Sequence, residues 1–80
     1  MNRYNISIKI LLINKEYDLF IPNNITVGNF LYMILSALKE KELLNLENPM
    51  LINSSNGDII KNEDYIFDTT IENGSKLVLL

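Results

Sequence analysis

Asn73-Gly74-Ser75-Lys76-Leu77-Val78-Leu79-Leu80 closes this 80-residue sequence with a turn signal followed by a short apolar strand. Asn-Gly favours a tight reversal of the chain, and the residues after it are apolar enough for a strand at the centre of a sheet. A matching strand stands at the other end. Ile6, Ile8, Ile10 and Leu12 recur every second residue with Ser7 and Lys9 between them, the period of a strand with one buried face, predicted over roughly residues 4–13. The fold turns on whether these two strands are neighbours.

Between them the order of elements is readable. Asn14-Lys15 separates the first strand from Tyr17-Asp18-Leu19-Phe20-Ile21, where Tyr17, Leu19 and Ile21 repeat the two-residue period. A hairpin is predicted, ended by Pro22, which has no N–H for the ladder. Thr26 then stands as an N-cap before Val27, Phe30, Leu31, Ile34 and Leu38, a helical stripe that predicts a helix over about residues 27–40. Lys39 and Lys41 fall in its last turns, favourable to the helix dipole, with Glu40 and Glu42 opposing them. Leu43, Leu44 and Leu46 read as an apolar linker broken by Pro49. Met50-Leu51-Ile52 and Ile59-Ile60 read as short strands around the turn-rich Asn53-Ser54-Ser55-Asn56-Gly57-Asp58. Tyr65-Ile66-Phe67 suits a single turn packed on the core.

Hairpin, helix, short hairpin, turn, strand is an order in which the last strand lies parallel to the first, with the single helix across one face. The expected fold class is therefore α+β, a β-grasp with a mixed sheet of four to five strands, formed by one domain over residues 1–80. Ile8, Ile10, Leu19, Ile21, Val27, Phe30, Ile34, Leu77 and Leu79 form the expected core. Apolar residues make up 48% of the chain, enough for packing and too many for a disordered segment.

Composition narrows the chemistry. Neither cysteine nor histidine occurs, which removes thiol nucleophiles, imidazole bases and thiolate or imidazole metal sites, along with any disulfide framework. With 7 Lys plus Arg against 10 Asp plus Glu and a net charge of −3, no basic cluster suits a phosphate backbone, so no nucleic-acid partner is expected. No apolar run approaches the ~18 residues that span a bilayer. The alternating, charged N-terminal stretch does not read as a signal peptide, and a cytoplasmic location is expected. Asp58, Glu63, Asp64, Asp68 and Glu72 do not follow the alternating oxygen spacing of a calcium loop. They read as structural or solvating groups, Asp68 as an acceptor for the turn around Thr70. Neither a catalytic constellation nor a cofactor or metal site is expected.

Three segments carry a family resemblance: Ile21 to Thr26 leading into the helix, Asn56-Gly57-Asp58-Ile59-Ile60, and Asp68-Thr69-Thr70-Ile71-Glu72-Asn73-Gly74-Ser75-Lys76-Leu77-Val78-Leu79-Leu80. Together they resemble ubiquitin, and more closely the small ubiquitin-like EsaB/YukD proteins of bacterial type VII secretion systems, whose ending follows D-x-x-I-x-x-G-x-x-L-x-L-L. The resemblance implies a non-enzymatic interaction module, docking on or regulating a membrane-bound secretion component without inserting in the membrane. Ubiquitin and the sulfur carriers need a slender di-glycine tail for adenylation. Here the sequence ends in Leu80, as EsaB/YukD proteins also lack the di-glycine, so no conjugation is expected. The alternative is a small β-grasp accessory subunit of a multicomponent enzyme such as a diiron monooxygenase.

Two surfaces are candidates for a protein partner. If Leu77 and Leu79 point inward, Val78 and Leu80 point outward, and Leu11 and Phe20 fall on the same outward period. These four are expected to form one apolar patch for a partner or a second copy of the chain. On the helix, Gly28, Tyr32 and Leu35 share a flank away from the stripe, an aromatic anchor beside an aliphatic one with glycine allowing close approach. The competing reading tucks Leu35 against the Leu43-Leu44-Leu46 linker and leaves Tyr32 merely exposed. Tyr17 and Tyr65 are expected as core or semi-core residues.

Overall fold

The computed structural model describes residues 2–38 and 49–80. Two long strands, β1 (Arg3–Ile10) and β2 (Lys15–Pro22), form a hairpin, followed by helix α1 (Val27–Leu38). The short strands β3 (Leu51–Asn53) and β4 (Asp58–Ile60), a single 3-10 turn at Ile66–Asp68 and strand β5 (Lys76–Leu79) complete the order. The sheet runs β2-β1-β5-β3-β4. β5 lies parallel to β1 and antiparallel to β3, while the other pairs are antiparallel. This is the expected β-grasp, with the terminal strand in the middle of the sheet.

The two-residue period sets the buried face. Ile6, Ile8 and Ile10 of β1, Leu77 and Leu79 of β5 and Leu51 of β3 are buried against Val27, Phe30 and Leu31 of α1. Leu19, Ile34 and Leu38 pack on this cluster half-buried. Ile66 and Ile71, absent from the expected core, are buried within it. A polar residue joins them. Asn53 is 2% exposed, and its Nδ2 donates to the Thr70 carbonyl and Oγ1 at 3.2 and 3.1 Å while its Oδ1 accepts from the Ser55 amide. These bonds replace those the amide would make with water, so its burial costs little.

Local chemistry closes the elements. Thr26 Oγ1 accepts the Asn29 amide at 3.1 Å, the N-cap bond expected from the sequence. β1 ends three residues earlier than its apolar alternation suggests. Leu11–Asn14 turn instead, with Asn14 at a φ of 51°, a left-handed conformation that asparagine tolerates. Pro22 does close β2, as its last residue, opposite Arg3; β2 is an edge strand, where a missing N–H breaks no ladder. Gly57 and Gly74 take φ values of 80° and 91° in the turns before β4 and β5, which side-chain-bearing residues rarely adopt.

Some expectations fail here. Asp68 does not cap the turn near Thr70; Thr69 does, its Oγ1 donating to the Ile66 carbonyl and accepting from the Ile71 amide. Tyr65 is exposed, not packed inward, and stacks on Phe67 with ring centroids 5.4 Å apart, because one 3-10 turn buries a single side chain and Ile66 takes that place. Tyr17 is half-buried against the core as expected. The expected helix end at residue 40, the charges at 39–42 and the Leu43, Leu44 and Leu46 linker lie outside the described residues.

Candidate functional site

The register of the sheet decides which outward residues meet. Val78 stands opposite Ile52 of β3 and beside Lys9 of β1, and Ile52 stands opposite Ile59 of β4. One row across the outer face therefore reads Lys9, Val78, Ile52, Ile59. Two residues further along, the Leu11 amide donates to the Leu79 carbonyl at 3.1 Å and the Leu80 amide to the Met50 carbonyl at 2.9 Å. These bonds continue both ladders beyond the strands and set Leu11, Leu80 and Met50 in a second row. Strands lie ~4.8 Å apart, so the two rows form one apolar patch. Ile59 is 63% exposed, Leu11, Met50 and Leu80 somewhat less, and Val78 and Ile52 are half-buried.

Leu11, Val78 and Leu80 thus meet as expected. Phe20 does not join them. It pairs with Asn5, four residues along β2 from Glu16, which stands opposite Lys9 in the row of Val78. Four residues along and two strands across amount to roughly 16 Å. The intervening row is the polar Asp18, Ser7 and Lys76. Phe20 instead lies under the Arg3 guanidinium, 5.9 Å from the ring centroid. In its place the patch gains Ile52, Ile59 and Met50, which sequence reasoning missed. Leu51-Ile52 and Ile59-Ile60 are apolar doublets, and a doublet does not reveal which member faces out.

The patch has a charged border. Lys9, Lys61 and Lys76 fall on the outward period of β1, β4 and β5 beside it, and Glu16 neighbours Lys9 and accepts the Ser7 hydroxyl at 3.0 Å. Three cations thus stand around the apolar centre, on a chain of net charge −3, with Glu16 opposite Lys9 and Glu63 beside Lys61.

The helical flank is less coherent than its spacing suggests. Tyr32 is 74% exposed, but Leu35 packs half-buried against the core. Gly28 serves an internal contact. Its amide donates to the Asn62 carbonyl at 2.9 Å, and a Cβ there would come within 3.3 Å of the same oxygen. The close approach that the glycine allows is to the chain's own loop after β4. Gly28, Tyr32 and Leu35 therefore do not form one open surface.

Among the described residues no group of three or more Asp and Glu side chains is placed to hold a metal ion, and no helix is long and apolar enough to cross a membrane.

No family model matches the chain, and no curated protein matches it. Solved structures do. A structure reported for molecular mimicry of SUMO in DNA repair superposes with a TM-score of 0.81 at 15% identity, covering 100% of this chain and 92% of the other. The ubiquitin of Caldiarchaeum subterraneum gives 0.71 at 19% identity over 96% and 90%. The ubiquitin-like domain of Plasmodium falciparum Dsk2 gives 0.66 at 20% identity over 98% and 99%. The fold is ubiquitin-like.

Proposed function

We propose that this chain is a non-enzymatic interaction protein of a bacterial type VII secretion system, docking on a membrane-bound component of the machinery from the cytoplasmic side. The resemblance to EsaB/YukD proteins in the D-x-x-I-x-x-G-x-x-L-x-L-L ending supports the system. The patch of Leu11, Met50, Ile52, Ile59, Val78 and Leu80 supports the mode. Apolar side chains collected on the outer face of a sheet, with no second layer over them among the described residues, are the usual mark of a docking surface. Val78 and Ile52 form its half-buried centre, where hot spots concentrate, and Lys9, Lys61 and Lys76 form its rim.

The chain acts by being bound. Leu80 is tied into the sheet through Met50, so residues up to Leu80 do not form a free tail that could enter an adenylating site. The reading is tested by deleting the gene in its host and measuring secretion of the WXG-motif substrates. Wild-type protein should restore it, and a Val78→Glu, Ile52→Glu double variant that still folds should not. Restoration by the double variant would remove the patch from the account, and undisturbed secretion in the deletion strain would remove the system.

A further inference from the structure

A second exposed apolar feature lies outside the sheet, on the turn that follows β4. Tyr65 and Phe67 are 46% and 51% exposed, and their rings stack on each other 5.4 Å apart at an interplanar angle of 25°. The backbone beneath them is fixed. Ile66, between them in sequence, is fully buried. Its amide donates to the Ile25 carbonyl at 2.9 Å and the Phe67 amide to the Asn23 carbonyl at 3.0 Å, while Tyr65 bridges Thr26. Two large rings are thus held in place at the surface, so covering them costs little in ordering. The charge of the chain gathers around the same turn. Residues 58–72 carry Asp58, Glu63, Asp64, Asp68 and Glu72 against Lys61 alone, a net −4, whereas the rest of the chain amounts to +1. Asp64 and Asp68, next to each ring in sequence, line one hollow of about 260 Å³ together with Asp58 and Lys61.

We infer that the Tyr65–Phe67 pair docks an arginine-bearing segment of another protein, the guanidinium lying flat on a free ring face and hydrogen-bonding to Asp64 or Asp68. A planar cation fits this geometry. Rings stacked on each other turn their remaining faces in opposite directions, so they form no box for a compact quaternary ammonium, but each free face accepts a flat group. Arginine combines that stacking with a fork of donors for a carboxylate, a combination lysine lacks. The chain makes the same kind of contact internally, with the Arg3 guanidinium 5.9 Å from the Phe20 ring centroid. Charge disfavours the other ways of covering the pair. A second copy would set two acidic turns face to face, and nucleic acid or an anionic lipid surface would meet the same repulsion.

The test uses two capped peptides of equal length and charge, one alternating glycine and arginine and one alternating glycine and lysine, titrated to millimolar concentration into the isotope-labelled chain and followed by NMR. The arginine peptide should shift the ring protons of Tyr65 and Phe67 and the amides of Asp64 and Asp68. It should bind about threefold more tightly than the lysine peptide, the scale of one exposed cation–π contact. Tyr65→Ser with Phe67→Ser should erase that preference and leave a weak attraction common to both peptides. Asp64→Asn with Asp68→Asn should weaken the arginine peptide roughly fivefold. Val78→Glu should change none of this, which separates the site from docking on the outer face. Each variant's amide spectrum reports its folding. Equal affinity of the two peptides for the wild-type chain, shifts at Asp64 and Asp68 without the rings, shifts confined to Ile52, Ile59 and Val78, or the absence of any shift would overturn the inference. Concentration-dependent shifts of both rings in the chain alone would overturn it in favour of a second copy.

Discussion

Val78 stands directly opposite Ile52 across the antiparallel ladder between β5 and β3, both on the face of the sheet away from the helix. The pair joins residues 26 positions apart in sequence, and it forms the centre of the apolar patch. Charging it should separate binding from folding. Val78→Glu with Ile52→Glu should abolish partner association while lowering stability by about 1–2 kcal/mol, the scale of altered cross-strand pairs on an open face. Co-purification and thermal melting of the same preparation check both parts.

Phe20 provides the matching control. It lies far from Val78 and beneath Arg3, so Phe20→Glu should leave association through the patch unchanged. Loss of association in that variant, with the fold intact by circular dichroism, would mean that the docking surface extends across the polar row of Asp18, Ser7 and Lys76.

Burial orders the core substitutions. Leu79, 1% exposed at the centre of the sheet, and Ile66, fully buried, should each lose about 2–5 kcal/mol on replacement by alanine. In a domain of this size that loss can unfold the chain. Ile34→Ala should cost clearly less, because Ile34 is only half-buried. Urea denaturation of the three variants checks the order, and an unchanged midpoint for Leu79→Ala would contradict the central place of β5.

Asn53 should prove as important as an apolar core residue. Replacement by alanine removes its bonds to Thr70 and to the Ser55 amide and leaves part-buried partners unpaired, at about 1–3 kcal/mol. Urea titration of Asn53→Ala measures the loss, and hydrogen exchange should quicken at the Ser55 amide.

Gly28 and Tyr32 should behave as structure and surface respectively. Gly28→Ala gains up to about 1 kcal/mol of helix propensity, but its Cβ would press on the Asn62 carbonyl, which the Gly28 amide itself holds in place. The net change should be destabilising, and larger for Gly28→Val. Tyr32→Ala should shift stability by no more than about 0.5 kcal/mol and leave partner recovery unchanged. Melting curves and co-purification read both.

Much of this architecture is legible in the sequence. Where apolar residues alternate, as in Ile6-Ser7-Ile8-Lys9-Ile10, the face is fixed by periodicity alone. Where a cap precedes a helical stripe, as at Thr26, so is the helix start. Three kinds of information are not local. The doublets Leu51-Ile52 and Ile59-Ile60 acquire an inner and an outer member only through pairing of β3 with β5 and of β4 with β3, so Ile52 and Ile59 are not assignable to the patch from sequence. Phe20 shares the outward period with Val78, but their separation depends on the register between β2, β1 and β5. The role of Gly28 depends on Asn62, which approaches from a distant loop.

The docking surface is tested most directly by a photoreactive amino acid placed at position 78 or position 32 of the chain in its host, followed by irradiation and mass spectrometry of the membrane fraction. The account expects position 78 to cross-link to a membrane component of the machinery that exports WXG-motif proteins, and position 32 to give no such product. A cross-link to that component from position 32 with none from position 78 would contradict it.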